Sequence, residues 1–436
     1  MFRIVSAFAV VAAAALAPAQ QLLPTPTGLD ASDGAYTLKV GLAWEHVRGA
    51  QQYRIYRGTT NDPGQASVIA TTPSILYEDR AATMGQPYFY WVQAVAGESV
   101  SRLSEPNEGM VALGKTGAFG AISPPRPPFE PAENPLTGAK IYLGKALFWD
   151  EQLSSTDTVA CGTCHRPRRG GSDPRAMVGS RRSQHPGPDE IFSTDDDIFG
   201  SPGVPRNRAD GSYEWDEHFG FREQVTGRKA QTVFEAAFTD MGLLWDGRAE
   251  NEFVDPLTAE TVIPGGGALE SQALMPILDT TEMSDLDRGW SEVVAKLEAA
   301  APLALSPSIP RALAAWIGGR RYPALFAEAF GSPEITPVRI AFAIASYERT
   351  LFSDRTRMDA YAAGIEPMPE DEQRGHDLFF ENFCDECHRG SLVGDNRFRF
   401  IGVRPDFEDV GRFEVSRDSR DLGKMRTQSL RNVALR

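Results

Sequence analysis

Cys161-Gly162-Thr163-Cys164-His165 and Cys384-Asp385-Glu386-Cys387-His388 are two copies of one pattern, and together they use all four cysteines of the chain. Two thiolates three residues apart can each add to a haem vinyl group while the next residue presents an imidazole to the iron. The pattern therefore reads as attachment of two c-type haems, with His165 and His388 as proximal iron ligands. Two other readings stand beside it: one structural zinc held by the two Cys-x-x-Cys pairs, or two disulfides stapling a secreted domain. Neither accounts for a histidine directly after both pairs in a chain with six histidines in 436 residues.

Working outward, the length allows about two to four domains at roughly 150 residues each. Hydrophobic content of 42% and charged content of 24% are those of a globular protein, and 31 prolines with 40 glycines call for many loops. A formal charge of −15 argues against nucleic acid as a partner, which needs clustered Lys and Arg. The one long apolar run, Ile4 to Ala17, follows Arg3 and ends in the small-x-small site Ala17-Pro18-Ala19. Residues 1–19 read as a cleaved signal peptide, because a spanning helix needs about 20 apolar residues. Export to the periplasm or beyond agrees with the haem reading.

Residues 24–114 show short alternating strands broken by turns: Leu38 to Trp44, Gln52 to Arg57, Ser67 to Ala70 and Tyr88 to Val95. Pro26-Thr27-Gly28-Leu29, Trp44, Tyr53-Arg54-Ile55-Tyr56-Arg57, Tyr77-Glu78-Asp79 and Tyr88-Phe89-Tyr90-Trp91-Val92 together resemble a fibronectin type III domain. Its aromatics are expected in the core, and His46 on the surface. Such a module implies a binding role toward a protein or surface partner, or that of a spacer. A Pro-rich linker, 115–133, contains Pro124-Pro125-Arg126-Pro127-Pro128 and is expected to be extended.

Beyond the linker the composition turns helical. Gly144-Lys145-Ala146-Leu147-Phe148 precedes the first motif and Gly375-His376-Asp377-Leu378-Phe379 the second, a weak internal repeat that implies two haem domains. Ile335 to Phe352 is expected to form one amphipathic helix. Residues 186–219 lack periodicity and read as a long solvated loop, Asp189 and Asp195-Asp196-Asp197 included.

Asn134-Pro135-Leu136-Thr137, Leu143-Gly144-Lys145, Leu147-Phe148, the first motif, Trp245-Asp246-Gly247-Arg248-Ala249, Glu348-Arg349-Thr350-Leu351, the second motif and Ser429-Leu430-Arg431-Asn432 occur in that order. From Asn134 onward the chain resembles the bacterial di-haem cytochrome c peroxidases and the related MauG-like oxidases. The implied architecture is multidomain: an all-β fibronectin type III-like sandwich, then two mainly α-helical cytochrome c-like haem domains, peroxidatic over 134–352 and electron-transferring over 353–436. The chain ends 48 residues after His388, where the family continues, so the second haem domain is expected to be incomplete.

The resemblance implies reduction of hydrogen peroxide at the first haem, with electrons passed through the second from a small donor protein, a cytochrome or cupredoxin. It assigns Glu282 as the acid/base group and Gln272, ten residues earlier, as its companion, with Asp279 the nearest competing carboxylate. It sets Trp245 between the haems, and Arg248 beside it without an acid partner visible in the sequence. His218 is the candidate sixth iron ligand, and His185 is expected in solvent. Lys229 stands where the family uses an asparagine at its calcium, and a cation cannot replace an oxygen ligand, so calcium is not carried over. Met425 reads as packing. Homodimers are implied by the family, with no interface visible here. A MauG-like oxidase acting on a protein substrate, and a two-haem electron carrier without peroxide chemistry, are the competing readings.

Overall fold

The computed structural model describes residues 22–114, 127–403 and 408–436. The expected signal peptide and the 115–126 part of the linker lie outside the described residues. Among the described residues, no helix is long and apolar enough to cross a membrane.

The first unit is a sandwich of two antiparallel sheets. One pairs β1 (Asp30–Ala31), β2 (Val40–Ala43) and β5 (Leu76–Asp79); the other is ordered β4 (Ser67–Thr72), β3 (Gln52–Gly58), β6 (Pro87–Ala96), β7 (Ser99–Val100), with β8 (Asn107–Met110) also on β6. Period-2 patterning decides the faces: Tyr53 and Ile55 of β3, and Tyr88, Tyr90, Val92 and Ala94 of β6, turn inward onto Val40, Leu42 and Trp44. Tyr90 Oη donates to the buried Asp79 at 2.9 Å, and Arg57 reaches the same carboxylate at 2.8 Å. This is the fibronectin type III-like sandwich the sequence implies.

The helical part contains α1 (Gly138–Trp149), α2 (Cys161–Cys164), α3 (Ala268–Leu278), α4 (Trp290–Ala299), α5 (Arg311–Ile317), α6 (Tyr322–Phe330), α7 (Pro337–Glu348), α8 (Arg357–Ala362) and α9 (Glu370–Glu381). α1 and α7 form its centre. A side chain at Gly144 would collide with the carbonyl of Ala343, so the two helices touch backbone to backbone there. α7 is shorter than the 335–352 segment expected from its stripe. Thr336 caps it by accepting from Arg339 N at 3.2 Å, with Pro337 at the first helical position, and Arg349 ends it. Arg349 then forks onto Glu270 of α3 at 2.7 and 3.0 Å, both side chains fully buried, and Asn134 donates to the same carboxylate at 2.8 Å. Arg431 makes a second buried fork on Asp359 of α8, at 2.6 and 3.0 Å.

The sandwich is docked on the helices. His46, expected on the surface, is 7% exposed. Its Nδ1 lies 2.8 Å from Tyr53 Oη and its Nε2 3.3 Å from Glu328 of α6, because the turn after Trp44 faces α1 and α6 rather than water. Glu45 binds Tyr142 Oη of α1, and Gly49 N and Trp316 Nε1 donate to Glu328 at 3.0 and 3.1 Å. Burial alone would raise the Glu328 carboxyl, but these donors, with His46 and Arg320, hold it down to about 2. At a second contact, Tyr36 Oη donates to Asp354 at 2.9 Å and Arg355 Nε to Tyr36 Oη at 3.0 Å.

The 186–219 segment is not structureless. β9 (Gln184–His185) pairs with β10 (Ile198–Phe199), and β11 (Pro202–Pro205) with β12 (Glu223–Val225). Its aspartates tie turns: Asp196 accepts from Asp189 N at 2.9 Å and Asp197 from Ser193 N at 2.8 Å.

Candidate active site

α2 is one helical turn that carries Cys161 and Cys164 and delivers His165 at its end, where His165 N donates to Cys161 O at 3.0 Å. The His165 ring is fixed from its far side, with Nδ1 3.1 Å from Gly171 O. An N–H on Nδ1 leaves Nε2 as the free lone pair, the tautomer an iron ligand requires. Burial lowers the His165 pKa and keeps the ring neutral, and it pushes the Cys161 thiol up to about 12. The second motif repeats the local geometry: His388 N donates to Cys384 O at 2.9 Å, and His388 Nδ1 lies 3.2 Å from Val393 O.

The two motifs differ in cover. Leu147 and Phe148 beside the first are fully buried, whereas α9 beside the second buries no residue, Leu378 is half exposed and Cys384 is exposed. All four cysteines are unpaired, and among the described residues no three His, Cys, Asp or Glu side chains gather as a zinc site would need.

A cavity of about 500 Å³ opens beside the first motif, within the range of roughly 300–1,000 Å³ usual for ligand pockets. Cys161, Cys164 and His165 form one wall, and Gln272, Glu282, Trp245 and Arg248 lie on others among Val159, Ala273, Pro276, Met283 and Ile344. Two polar atoms of cavity-lining residues, Gln231 Nε2 and Glu348 Oε2, are buried without a partner among the described residues. An apolar slot walled by a Cys-x-x-Cys-His turn, with buried polar atoms still unsatisfied, fits a covalently held haem.

Glu282 sits on the turn after α3. Asp279 Oδ1 accepts from Thr281 N at 2.8 Å and from Glu282 N at 3.0 Å, and Thr281 O accepts from Val204 N of β11 at 3.0 Å. Asp279 is thus the exposed cap of the turn, and Glu282 is the carboxylate turned to the cavity. Burial pushes Glu282 up to about 7, with the charge of Asp279 adding and Arg248 opposing.

Trp245 Nε1 donates to Lys229 O at 3.1 Å. The next residues face the part of the chain that follows the second motif: Arg412 Nη1 donates to Asp246 O at 3.0 Å, and Arg426 N to Trp245 O at 2.8 Å. Arg248 has the acid partner that the sequence did not reveal, Asp246 at 2.8 Å, which Arg228 shares at 2.7 Å.

The histidines exchange places relative to expectation. His185 lines the cavity and His218 does not, because the β9–β10 ribbon carries His185 to the wall. Both rings pack on Phe219, at 6.0 and 6.4 Å, and burial followed by the charge of His218 lowers the His185 pKa. Glu348 opens the Glu348-Arg349-Thr350-Leu351 motif. It lines the same cavity one helical turn beyond Ile344 of α7, and burial pushes it up to about 8. The i, i+4 spacing of Ile344 and Glu348 would find it once the cavity-facing side of α7 is known.

Residues 138–366 match the profile of the di-haem cytochrome c peroxidase family. Cytochrome c peroxidase Ccp of Escherichia coli (strain K12) is 27% identical over 313 residues, 70% of this chain and 50% of its own length, so the chain spans half of that relative. Cytochrome c551 peroxidase of Nitrosomonas europaea is 25% identical over 333 residues, 74% of this chain and 75% of its own. Methylamine utilization protein MauG of Methylophilus methylotrophus is 29% identical over 307 residues, 68% of this chain and 67% of its own.

Proposed function

The chain belongs to the di-haem cytochrome c peroxidase family, and from that premise we propose that it is an exported peroxidase reducing hydrogen peroxide in the cavity beside the first haem motif. A haem held by Cys161, Cys164 and His165 would supply the iron for peroxide binding, and one held by Cys384, Cys387 and His388 would relay electrons from a small donor protein, a cytochrome or cupredoxin.

The observation that carries the reading is Glu282, a half-buried carboxyl that desolvation raises to about 7 in the wall of the cavity that Gln272 also lines. A group poised there can take the proton from the inner peroxide oxygen and return it to the outer one, so that the outer oxygen leaves as water; two electrons and two further protons complete two waters. Gln272 is suited to orient the peroxide by hydrogen bonding. Trp245 supports electron transfer between the sites, since its own segment contacts both the cavity and the chain after the second motif. Export is supported by the leader pattern of residues 1–19.

Peroxide consumption by the haem-loaded protein with a reduced small cytochrome tests the reading. Glu282→Gln is expected to lower kcat/KM for peroxide by about 10²–10⁴-fold, with both haems retained in the absorption spectrum. Equal turnover by Glu282→Gln would remove Glu282 from the mechanism. Two low-spin haems unreactive to peroxide would return the chain to the electron-carrier reading. A protein-oxidising role is favoured over the carrier by the 29% identity to MauG, and peroxide-dependent modification of a second protein would detect it.

A further inference from the structure

Phe148, Trp149 and Tyr347 form a cluster at the back of the first haem motif that the mechanism above leaves unused. Phe148, 1% exposed, packs edge-on against Tyr347 at 5.2 Å and against Trp149 at 5.6 Å, and its ring centre is 6.4 Å from that of His165. Trp149 Nε1 donates to Tyr347 Oη at 3.2 Å. Tyr347 is buried, whereas Trp149 is half-buried and reaches solvent.

The indole also explains a residue of the motif itself. A side chain at Gly162 would collide with the six-membered ring of Trp149, so the residue after Cys161 has to be glycine. The second motif carries Asp385 at the same place. The Trp149 ring therefore lies in van der Waals contact with the chain between the two haem-attaching cysteines. On its outer side the exposed Arg166 guanidinium is 5.8 Å from the indole, with Arg168 and Arg169 exposed next to it.

We propose that Trp149, with Tyr347, is a second electron-input site, through which small anionic one-electron reductants of the ascorbate class feed the first haem pocket from the surface. The inference rests on the peroxidase reading, because peroxide is the oxidant. Indole and phenol are among the side chains most easily oxidised by one electron. The hydrogen bond from Nε1–H to Tyr347 Oη stabilises the indole radical cation, and the proton stays on Nε1. The Arg166 charge works in the other direction, so the ring gives up an electron only to a strong oxidant, and the same charge attracts an anionic reductant. The reductant returns one electron to the ring. Two such cycles, with two protons, convert one hydrogen peroxide to two waters. Without reductant, the indole loses two electrons and two protons and gains one oxygen from water, so that net one peroxide becomes one water and one hydroxylated tryptophan.

The test uses the full haem-loaded chain, with peroxide as oxidant and either ascorbate or a reduced small cytochrome as donor. Without donor, freeze-quenched EPR is expected to show a tryptophanyl radical that Trp149→Phe abolishes, and peptide mapping to find one added oxygen at Trp149. With ascorbate, Trp149→Phe is expected to lose about tenfold in turnover, roughly 1.4 kcal/mol in barrier, while cytochrome-driven turnover stays at the wild-type rate. Tyr347→Phe keeps the ring packing and removes only the acceptor oxygen, so it should shorten the radical lifetime and lower ascorbate turnover, and it serves alone if Trp149→Phe fails to fold. Radical and added oxygen at another residue, or ascorbate turnover unchanged in Tyr347→Phe, would overturn the inference while peroxide reduction stands. A wild-type protein that consumes no peroxide with either donor takes down both.

Discussion

At the scale of single residues, Asp279 and Glu282 show how three positions of chain separate two carboxylates into different tasks. Asp279 is exposed and spends an oxygen on two backbone amides, while Glu282 faces the cavity and rises to about 7. Removal of the cap in Asp279→Ala is expected to loosen the turn at a stability cost of about 1 kcal/mol and to lower kcat for peroxide, read by chemical denaturation and steady-state kinetics. On the proposed mechanism Glu282 acts first as a base, so peroxide turnover should rise with pH through about 7 as it ionises, and Glu282→Gln should flatten that limb. Glu348 makes a different prediction. Its folded value, about 8, lies above the ordinary carboxyl value of 4.5. The stability it contributes is therefore full below about pH 4.5 and is lost as pH rises through about 8. Glu348→Gln should reduce the fall in Tm across that window, measured by calorimetry from pH 4 to pH 9. The two Cys-x-x-Cys-His motifs were legible because their spacing is local. Glu348 and His185 were not, since which side chains face a cavity depends on elements far apart in sequence.

At the scale of elements, the recurring motif residues turn out to hold helices together. Gly144 lets α1 touch α7, and Gly144→Ala should force them apart at a cost of about 1–3 kcal/mol, seen as a lower urea midpoint. The Arg349–Glu270 fork ties the end of α7 to α3, the helix that leads into the Glu282 turn. Arg349→Met leaves a buried carboxylate without its partner, and a loss of about 3–5 kcal/mol is expected. The apolar stripe announced α7 but overran its ends, because Thr336-Pro337 caps the helix and Arg349 leaves it for a tertiary partner. The 186–219 segment had no periodicity to read. Its two-strand ribbons are held by pairing between segments that help to line the cavity, which a local pattern does not record.

At the scale of the whole molecule, the sandwich is docked on the helical part rather than a bead on a spacer. His46, Glu45 and Gly49 meet Tyr142, Trp316 and Glu328 in a partly buried polar contact. The Glu328 carboxyl is held at about 2, below its ordinary 4.5, so the contact is stabilised above about pH 4.5 and that contribution is lost as pH falls toward about 2. Acidification should release the sandwich before the helices unfold, seen as a change in Trp316 fluorescence and an increase in radius of gyration. Glu328→Gln should show the weaker contact already at pH 7 and lose the acid dependence.

The sequence by itself determined the cofactor chemistry, the β-then-α order of the parts and the place of the two Cys-x-x-Cys-His motifs, because each depends on spacing within one turn or one strand. The tertiary structure alone decided which carboxylates face the cavity, that His185 rather than His218 reaches its wall, and that His46 is buried. Those outcomes follow from the packing of segments tens to hundreds of residues apart, where burial, and not local pattern, sets both position and charge.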